Sequence, residues 1–372
     1  MNKLLPEICH IQYGYAFDSA KFTDDIGVPL IRIRDVVRGF SETYTTEDCD
    51  QEYTVKDGDI LIGMDGEFNI ARWKGGKAYL NQRVCRLIPT DEVDEMYLYY
   101  FMPKALKIIE DKTPFVTVKH LSAKELNKIV VPIPTIEEQK EIANSLHGVD
   151  ELISGRKQQL SKIDELVKSR FIEMFGDTIL NPFGWGKDNF GTVCDVRDGT
   201  HDSPQYYETG YPLVTSKNVT GGKIDLTDCS LICESDFKKI NERSKVDMGD
   251  IIMPMIGTVG KPVIVDIEPN FAIKNVSLIK FKAASRVLNI YIRALLQSDY
   301  FDDVVLSKVR GGTQKFISLG DIRKLEILVP PMELQKQFAS FVEQTDKSKF
   351  EIQKSLEKLE TLKKALMQKY FG

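Results

Sequence analysis

The chain contains an internal repeat with a period of 196 residues. Shifting residues 128–176 onto residues 324–372 brings identical residues together with no gap between them. The coinciding pairs include Lys128 and Lys324, Pro134 and Pro330, Gln139 and Gln335, Leu160 and Leu356, Leu166 and Leu362, and Phe175 and Phe371. A repeat of this size indicates two copies of one structural unit related by approximate symmetry. A chain of this kind is expected to meet a partner that has two similar sites.

The repeat continues upstream in a looser form. Val28–Ile31 corresponds to Tyr211–Val214, and Val55–Leu61 corresponds to Val246–Ile252. Thr117 and Lys119 correspond to Thr313 and Lys315. The spacing drifts in this part, so insertions and deletions separate the two copies. The pattern predicts near-constant helices that dock something constant, behind divergent globular parts that read something that differs.

Composition limits the classes of protein that need to be considered. A length of 372 residues allows about two domains of ordinary size. No apolar run approaches the roughly 20 residues that a membrane span needs, and the N-terminus lacks the features of a signal peptide. The six cysteines form no Cys-x-x-Cys pair, which favours reduced thiols over a zinc site. We therefore expect a cytoplasmic protein with no membrane partner and no bound metal.

The net charge of −5 argues mildly against a free-standing nucleic-acid binder. Contact with phosphate needs Lys and Arg side chains at the contact itself. The charge therefore requires either a local basic stripe or other subunits that carry part of the contact.

The pattern of apolar runs predicts two globular modules of mixed α/β composition, over residues 1–134 and 177–330. Short apolar runs bounded by Gly, Pro and Asp are strand candidates, as at Val28–Ile33, Asp59–Gly63 and Ile129–Ile133. A helix is predicted near Asp94–Lys107 and a shorter one near Ser122–Asn127. The predicted fold class is α+β.

A long helix is predicted after each module, over residues 135–176 and 331–372. Thr135 and Glu138 form a capping box, which signals a helix start. Apolar residues then recur at spacings of three and four, which is the heptad pattern of a coiled coil. The two helices are predicted to pair as an antiparallel coiled coil with pseudo-two-fold symmetry. Arg156 in one helix, and Thr345 and Lys349 in the other, would then fix the register. The alternative is that each helix packs only on its own domain.

No enzymatic motif is present in the sequence. It contains no Walker A run, no dinucleotide-binding GxGxxG, no HExxH and no GxSxG. The run Asn181-Pro182-Phe183-Gly184-Trp185 superficially resembles the Asn-Pro-Pro-aromatic motif of adenine methyltransferases. The second proline is missing, however, and Asn-Pro and Phe-Gly are turn formers, so a linker turn is the better interpretation.

Two polar segments of the second module are candidates for DNA contact. One is residues 197–204, and the other is residues 308–318 with its paired glycines. Glycines allow close approach of the backbone to a ligand. Arg310 and Lys315 are suited to phosphates, and Gln314 is suited to a base edge. The comparable segment of the first module is residues 113–120.

These segments make the chain resemble the specificity subunits of type I DNA restriction–modification enzymes. The resemblance rests on Asp198–Pro204, Thr215–Val219, Gly-Thr-Val-Gly-Lys at 257–261, Gly-Thr-Gln-Lys-Phe-Ile-Ser at 312–318, and Val329–Pro331 followed by Glu333–Lys336. It covers essentially the whole chain. The first module departs from it, because it reads Thr-Val-Lys-His at 117–120 and lacks the Asp-Gly-Thr-His-Asp run.

The resemblance implies a non-catalytic subunit of an adenine-N6 methyltransferase and restriction complex. Residues 1–134 and 177–330 would be target recognition domains 1 and 2, each reading one half of a split, asymmetric site in double-stranded DNA. The helices at 135–176 and 331–372 would act as spacers and dock two methyltransferase subunits. Those subunits, not this chain, would carry S-adenosylmethionine, and motor-nuclease subunits would join them.

The predicted site residues fall into two groups. The candidate DNA contacts are Thr200, His201, Ser216, Lys217, Asn218, Arg310, Thr313, Gln314 and Lys315 in the second module, and Arg32, Arg34, Lys119 and His120 in the first. The candidate docking and spacer residues are Gln139, Leu146, Ile153, Leu160, Gln335, Val342, Leu356 and Leu362. No catalytic or metal-binding residue is predicted.

Two alternatives come from other classes of protein. A DNA methyltransferase or nuclease in its own right would require this chain alone to bind S-adenosylmethionine. A structural adaptor with two protein-binding domains would make no DNA contact, and the acidic charge mildly favours it.

Overall fold

The computed structural model describes residues 1–113, 119–256, 259–282, 284–308 and 316–372. The chain forms two compact units, and each unit contains part of both long helices. The first unit contains residues 1–157 and 354–372, and the second contains residues 158–353. Each unit is described by itself.

The first half of the chain contains most elements of the first unit and the whole of the first long helix. The strands are β1 (Asn2–Leu4), β2 (Cys9–Tyr13), β3 (Phe22–Thr23), β4 (Val28–Ile31), β5 (Tyr44–Thr45), β6 (Thr54–Val55), β7 (Ile60–Gly63), β8 (Ile70–Arg72), β9 (Ala78–Leu80), β10 (Val84–Pro89) and β11 (Val130–Pro132). The helices are α1 (Leu5–Ile8), α2 (Ile33–Arg38), α3 (Glu95–Lys112), α4 (Ala123–Leu126) and α5 (Ile136–Phe175).

The second half contains a similar series of elements. The strands are β12 (Gly186–Asn189), β13 (Asp195–Asp198), β14 (Tyr211–Val214), β15 (Val219–Thr220), β16 (Lys223–Ile224), β17 (Ser230–Ile232), β18 (Ile251–Pro254), β19 (Val263–Ile264), β20 (Ala272–Ile273), β21 (Val276–Lys280) and β22 (Glu326–Val329). The helices are α6 (Phe190–Val193), α7 (Glu234–Ser244), α8 (Asn289–Leu295), α9 (Leu319–Arg323) and α10 (Met332–Phe371).

Three pairings of strands are common to the sheets of the two units. The first unit has an antiparallel sheet in the order β2-β10-β7-β8, and the second has β13-β21-β18-β19. A parallel pair follows in each, β4 with β9 and β14 with β20. A short antiparallel pair, β1 with β11 and β12 with β22, joins the start of each recognition domain to its end. The repeat predicted from the sequence therefore includes these elements of both domains. The sheets around the parallel pairs differ, with the order β3-β5-β4-β9-β6 in the first unit and β17-β14-β20 in the second.

In both domains one aspartate side chain holds the turn before an inner strand, β7 or β18, and we call this the pinned turn. The Lys56 backbone N–H donates to Asp59 at 2.9 Å, and Arg86 Nη1 lies 2.9 Å from the same carboxylate oxygen. In the second domain Asp247 N–H donates to Asp250 at 2.8 Å, and Lys280 Nζ lies 2.6 Å from it. The charge pairing is the same although the cation differs, which confirms the upstream correspondence of Val55–Leu61 with Val246–Ile252.

The end of each long helix completes the core of a unit. In the first unit Phe371 of α10 packs against α3, with ring centroids 5.4 Å from Tyr97 and 5.8 Å from Phe101. In the second unit Phe175 of α5 packs 4.9 Å from the ring of Tyr291 on α8. Phe371 and Phe175 are nearly or wholly buried, and burial of such a side chain stabilises a fold by roughly 2–3 kcal/mol.

The two long helices run antiparallel and pair, as the heptad pattern predicts. In the first unit Lys363 Nζ lies 2.6 Å from Asp150 Oδ1, and in the second Phe171 packs 5.6 Å from Phe338. Early residues of one helix therefore meet late residues of the other. The first part of α5 also packs on its own domain through Ala143 and Leu146. Because the same part contacts α10, the alternative that each helix packs only on its own domain is wrong.

Polar residues along the helices form contacts within one helix and between the two helices. The buried Thr345 hydroxyl donates to the Val342 carbonyl at 2.8 Å, and Lys349 forms an ion pair with Asp164. The predicted capping box of α5 is present. The Thr135 N–H donates to Glu138 Oε2 at 2.9 Å, and the Glu138 N–H donates to the Thr135 hydroxyl at 3.3 Å.

The segment Asn181–Trp185 is a turn, as predicted. Asn181 adopts φ 49°, its side-chain amide donates to the Trp185 carbonyl at 2.9 Å, and its carbonyl accepts the Trp185 N–H at 2.8 Å. Among the described residues, no helix is long and apolar enough to cross a membrane. The same residues contain no group of His, Cys, Asp or Glu suited to hold a metal ion.

Candidate nucleic-acid interface

One edge of the first recognition domain forms where several strands end. Gly63 at the end of β7 faces Val84 at the start of β10, and Ile31 at the end of β4 faces Leu80 at the end of β9. The segments that follow these strands therefore meet at one edge. We call residues 14–15, 32–35, 64–65, 81–83 and 119–120 the first polar edge.

Arginines from α2 lie on the first polar edge. Arg32 and Arg34 are both exposed, as their prediction as DNA contacts requires. Arg34 is held in place, because its Nη2 donates to the Thr43 hydroxyl at 3.3 Å and its Nε lies 3.6 Å from Asp35 Oδ1. The edge therefore carries positive charge on a chain whose net charge is −5.

The predicted contacts Lys119 and His120 lie on the same edge and have partners within the domain. His120 Nδ1 lies 2.5 Å from Asp65 Oδ1, and Arg83 Nε lies 3.5 Å from the other oxygen of Asp65. Lys119 Nζ donates to the Glu110 carbonyl at 2.8 Å, near the end of α3. A cluster of one carboxylate and two basic side chains thus fixes this part of the edge.

The second recognition domain has a matching edge. Pro254 at the end of β18 faces Val276 at the start of β21, and Val214 at the end of β14 faces Ile273 at the end of β20. We call residues 199–201, 215–218, 255–256, 274–275 and 316 the second polar edge. The structure thus brings four candidate DNA contacts, Thr200, His201, Ser216 and Lys217, to one edge.

A buried carboxylate organises the second polar edge. Asp198 is 7% exposed and accepts from His201 Nε2 at 2.9 Å and from Arg243. The other imidazole nitrogen of His201 lies 2.9 Å from Asn275 Oδ1. Lys274 Nζ donates to the Ser203 hydroxyl at 2.7 Å. These contacts hold the predicted His201 and the neighbouring cations in fixed places.

Asn218 acts as a cap. Its side-chain oxygen accepts the Thr215 N–H at 3.0 Å, and the residue is 4% exposed. Asp35 has the same role in the first domain, where it accepts the Arg32 N–H at 2.9 Å. The Asn218 side chain, a predicted DNA contact, is therefore hydrogen-bonded within the domain, whereas the neighbouring Lys217 is exposed.

The loops that carry the remaining candidates correspond between the domains. Asp65 pairs with His120 in an antiparallel bridge, and Ile256 pairs with Phe316 in the same way. Position 119 in the first domain therefore corresponds to position 315 in the second. Arg310, Thr313, Gln314 and Lys315 lie outside the described residues, as do positions 257–258 of the Gly-Thr-Val-Gly-Lys run, so their roles stay predictions.

The first domain contains a counterpart of the Asp-Gly-Thr-His run that the sequence does not reveal. Tyr13 faces Cys85, and Asp198 faces Ser277, which is the corresponding position. Tyr13-Gly14-Tyr15 therefore replaces Asp198-Gly199-Thr200. A Cβ on Gly14 would lie 2.1 Å from the Asn81 carbonyl oxygen, and one on Gly199 would lie 2.4 Å from that of Ile273. A glycine directly after a strand was the available signal.

The Tyr13 phenol differs from the carboxylate that it replaces. Burial raises the pKa of Tyr13 to about 12, so the group is neutral at ordinary pH. Its buried hydroxyl has no hydrogen-bond partner among the described residues. Tyr15 beside it is 38% exposed and packs edge-on against Phe17, with centroids 4.9 Å apart. Directly before the two edges, the first domain thus carries a neutral aromatic side chain where the second carries a carboxylate.

The predicted docking residues Gln139 and Gln335 are buried and make equivalent contacts. Gln139 accepts the Asp94 N–H at 2.8 Å and donates to the carbonyls of Glu92 and Pro134 at 3.3 and 3.1 Å. Gln335 accepts the Leu288 N–H at 2.8 Å and donates to Arg286 and Pro330 at 3.0 and 2.8 Å. Each glutamine therefore joins a long helix to the start of the helix that follows β10 or β21.

The apolar docking candidates divide by exposure. Leu146, Val342 and Leu356 are buried in their units, and Ile153 and Leu160 are half-buried. Leu362 is 46% exposed, and its repeat equivalent Leu166 is 51% exposed. Among the eight predicted residues and their repeat counterparts, only Leu166 and Leu362 present apolar surface at the same position of both helices.

Solved structures share this arrangement of two domains and two paired helices. The chain is similar to the crystal structure of a type I restriction–modification system S subunit from M. genitalium, with a TM-score of 0.62, 16% identity, and coverage of 100% of this chain and 96% of that one. A second match, from work described as the structural basis of complex assembly and conformational transition of the type I R-M system, has a TM-score of 0.55, 17% identity, and coverage of 100% and 97%. These likenesses show the fold: two mixed α/β domains, each followed by a long helix that pairs with the other.

Sequence comparison gives the family. The profile described as "Type I restriction modification DNA specificity domain" matches residues 1–164 and 182–364. The type I restriction enzyme EcoBI specificity subunit of Escherichia coli is 26% identical, over 99% of this chain and 84% of that protein. The MjaVIII specificity subunit of Methanocaldococcus jannaschii is 25% identical, over 85% and 79%. The chain belongs to the family of type I restriction–modification specificity subunits, the non-catalytic component of these enzymes.

Proposed function

We propose that each recognition domain reads one half of a split, asymmetric site in double-stranded DNA through its polar edge. The observation that carries the proposal is that the two edges share a backbone frame but differ in side chains. Equivalent positions hold Tyr13 and Asp198, and Arg32 and Thr215. A shared frame with different donors and acceptors suits two different half-sites, because bases are distinguished by hydrogen-bond patterns.

The local charge supports DNA as the ligand. Arg32, Arg34 and Lys217 are exposed at these edges although the chain as a whole is acidic. Phosphate contacts supply most of the affinity of DNA-binding proteins and need such cations. Partner subunits then contribute the remaining contacts.

Exchange of one recognition domain tests the reading of half-sites. Residues 186–329 are replaced by the corresponding segment of a relative with a different site, and methylated positions are mapped by single-molecule sequencing. We expect one half of the methylated motif to change and the other to persist. The matched control replaces residues 2–132 and should change the opposite half. A change of both halves in either exchange would contradict independent reading.

We also propose that the paired helices set the distance between the half-sites and dock two methyltransferase subunits. Those subunits bind S-adenosylmethionine, motor-nuclease subunits join them, and the complex acts in the cytoplasm. The support is the repeated exposed pair Leu166 and Leu362, since an exposed apolar residue kept at the same position of two helices suits two copies of one partner.

Docking is tested by charge substitution at the repeated pair. Leu166→Glu and Leu362→Glu should each reduce the stoichiometry of bound methyltransferase from two to one, and the double variant should abolish binding, as measured by sedimentation. Gln159→Glu, which adds charge elsewhere on α5, is the control. Full binding by the double variant would place docking on another surface.

A further inference from the structure

The polar edges of the two recognition domains can be compared residue by residue at one short segment. Ile31 faces Leu80 as Val214 faces Ile273, and the next residue begins a capped turn in both domains. The cap is formed by Asp35 in the first domain and by Asn218 in the second. Arg32 therefore corresponds to Thr215, and Arg34 corresponds to Lys217.

Equivalent positions of the two domains are of two kinds, those that keep the same charge and those that do not. Arg34 and Lys217 carry the same charge in both domains, although the domains diverge around them. A cation kept in both copies suits the phosphate backbone, which is identical in every half-site. Arg32 and Thr215 differ in charge and in donor pattern, which suits a position that reads the base sequence.

Arg32 is also the arginine of the first polar edge with an unengaged side chain. Arg34 contacts Thr43 and Asp35, and Arg83 contacts Asp65. The guanidinium of Arg32 is exposed and has no partner among the described residues of the chain. Its five N–H groups are thus available to an incoming ligand.

We propose that Arg32 recognises a guanine of the first half-site, donating from its guanidinium to O6 and N7 in the major groove. Arginine is the side chain whose planar fork matches these two acceptors. Arg34 and Lys217 hold the phosphates of the first and second half-sites. The threonine at position 215 has a single hydroxyl, so the second domain cannot make this bidentate contact from the equivalent position. This inference rests on the proposed reading of half-sites by the polar edges.

The test uses the assembled methyltransferase complex and DNA in which the guanines of the first half-site are replaced, one at a time, by 7-deazaguanine. This base lacks the N7 acceptor and keeps Watson–Crick pairing. We expect one replacement to weaken binding of the unsubstituted complex roughly tenfold. Arg32→Ala should weaken binding to ordinary DNA by a similar factor, and the two changes together should cost little more than either alone. Additive losses at every guanine would overturn the proposal.

Methylation mapping provides the second readout. Arg32→Ala should relax one position of the first half-site and leave the second half-site unchanged, while Arg32→Lys should retain partial preference. Arg34→Ala and Lys217→Ala are the matched controls, and each should weaken all sequences about equally and lower the salt slope by roughly one unit. An unchanged motif with Arg32→Ala would assign Arg32 to the backbone or to no contact. Failure of the wider proposal is distinct, because the unsubstituted complex would then show no bipartite motif.

Discussion

The two recognition domains share their strand order, their pinned turn and their helix-binding glutamine, yet their polar edges differ in chemistry. The first edge combines Tyr13, Tyr15 and arginines, and its Asp65 binds His120 and Arg83. The second is organised by the buried carboxylate of Asp198, which binds His201 and Arg243. The backbone frame is thus common to both domains, whereas the side chains beyond the strand ends differ.

The strongest test of the common frame is the glycine after the first long strand of each domain. Gly14→Ala and Gly199→Ala each place a methyl group within 2.4 Å of a carbonyl oxygen, so neighbouring strands must move apart. We expect each to lower the free energy of unfolding by about 3 kcal/mol. Urea unfolding of the purified chain measures this. Gly66→Ala is the control, because a Cβ at this position meets no atom within 4 Å, although the backbone there is left-handed. Tolerance at one site alone would break the equivalence of the domains.

The next largest effect is expected at the buried glutamines. Gln139→Leu and Gln335→Leu each remove three hydrogen bonds to backbone groups and leave those groups buried without partners. Each should therefore destabilise the chain by about 2 kcal/mol. Gln368→Leu, at an exposed position of α10, provides the control. Equal losses in thermal unfolding would sharpen the comparison, and a loss from only one variant would show that the two helix contacts differ in importance.

Replacement of the polar groups at the strand ends should separate the two edges. Asp198→Asn weakens charge-assisted contacts to His201 and Arg243, so we expect a loss of about 1.5 kcal/mol in stability and relaxed reading of the second half-site. Tyr13→Phe removes a buried hydroxyl that has no partner among the described residues, so stability should be unchanged or slightly higher. Unfolding measurements and methylation mapping of both variants check this. A larger loss for Tyr13→Phe than for Asp198→Asn would reverse the assignment.

The smallest effect concerns the starts of the two long helices. The Thr135 backbone N–H and hydroxyl hold the pKa of Glu138 below its usual value, whereas the repeat positions on α10 are Pro331 and Leu334. A lowered folded-state pKa stabilises the folded state above the unfolded pKa of about 4.3, and this contribution is lost as the pH falls through the folded value.

Hydrogen exchange measured by mass spectrometry between pH 7 and pH 3 tests this contribution. After correction for intrinsic rates, protection at the start of α5 should fall on acidification, and Glu138→Gln should remove the pH dependence. The start of α10 serves as the internal control and should show no such dependence. Equal pH dependence at both helix starts would contradict a role for the capping box.

The sequence predicts the parts of this fold that depend on regular spacing. The gapless repeat and the heptad pattern predict two long antiparallel helices, and the capping box locates the start of α5. The upstream correspondence drifts because loops differ in length: residues 81–83 link β9 to β10, whereas residues 274–275 link β20 to β21. Tyr13-Gly14-Tyr15 has no residue-type match to Asp198-Gly199-Thr200 except glycine, so only strand register reveals it.

Burial is the part of the candidate site that spacing does not predict. Gln139 and Asn218 are polar residues in recurring motifs, which favours their assignment to contact surfaces. Both side chains instead satisfy backbone groups inside a domain, which depends on which loop lies over them in three dimensions. Arg32 and Arg34 lie at the end of the strand candidate Val28–Ile33 and the start of α2. Both are exposed, and their contact with DNA stays a prediction.

The position of Phe371 has a consequence for synthesis of the chain on the ribosome. The core of the domain encoded first contains a side chain from residue 371, so that domain is completed only after the second domain has been translated. The second domain receives Phe175 before its own strands emerge. A premature stop a few codons before position 371 is therefore expected to destabilise the first domain and to spare the second.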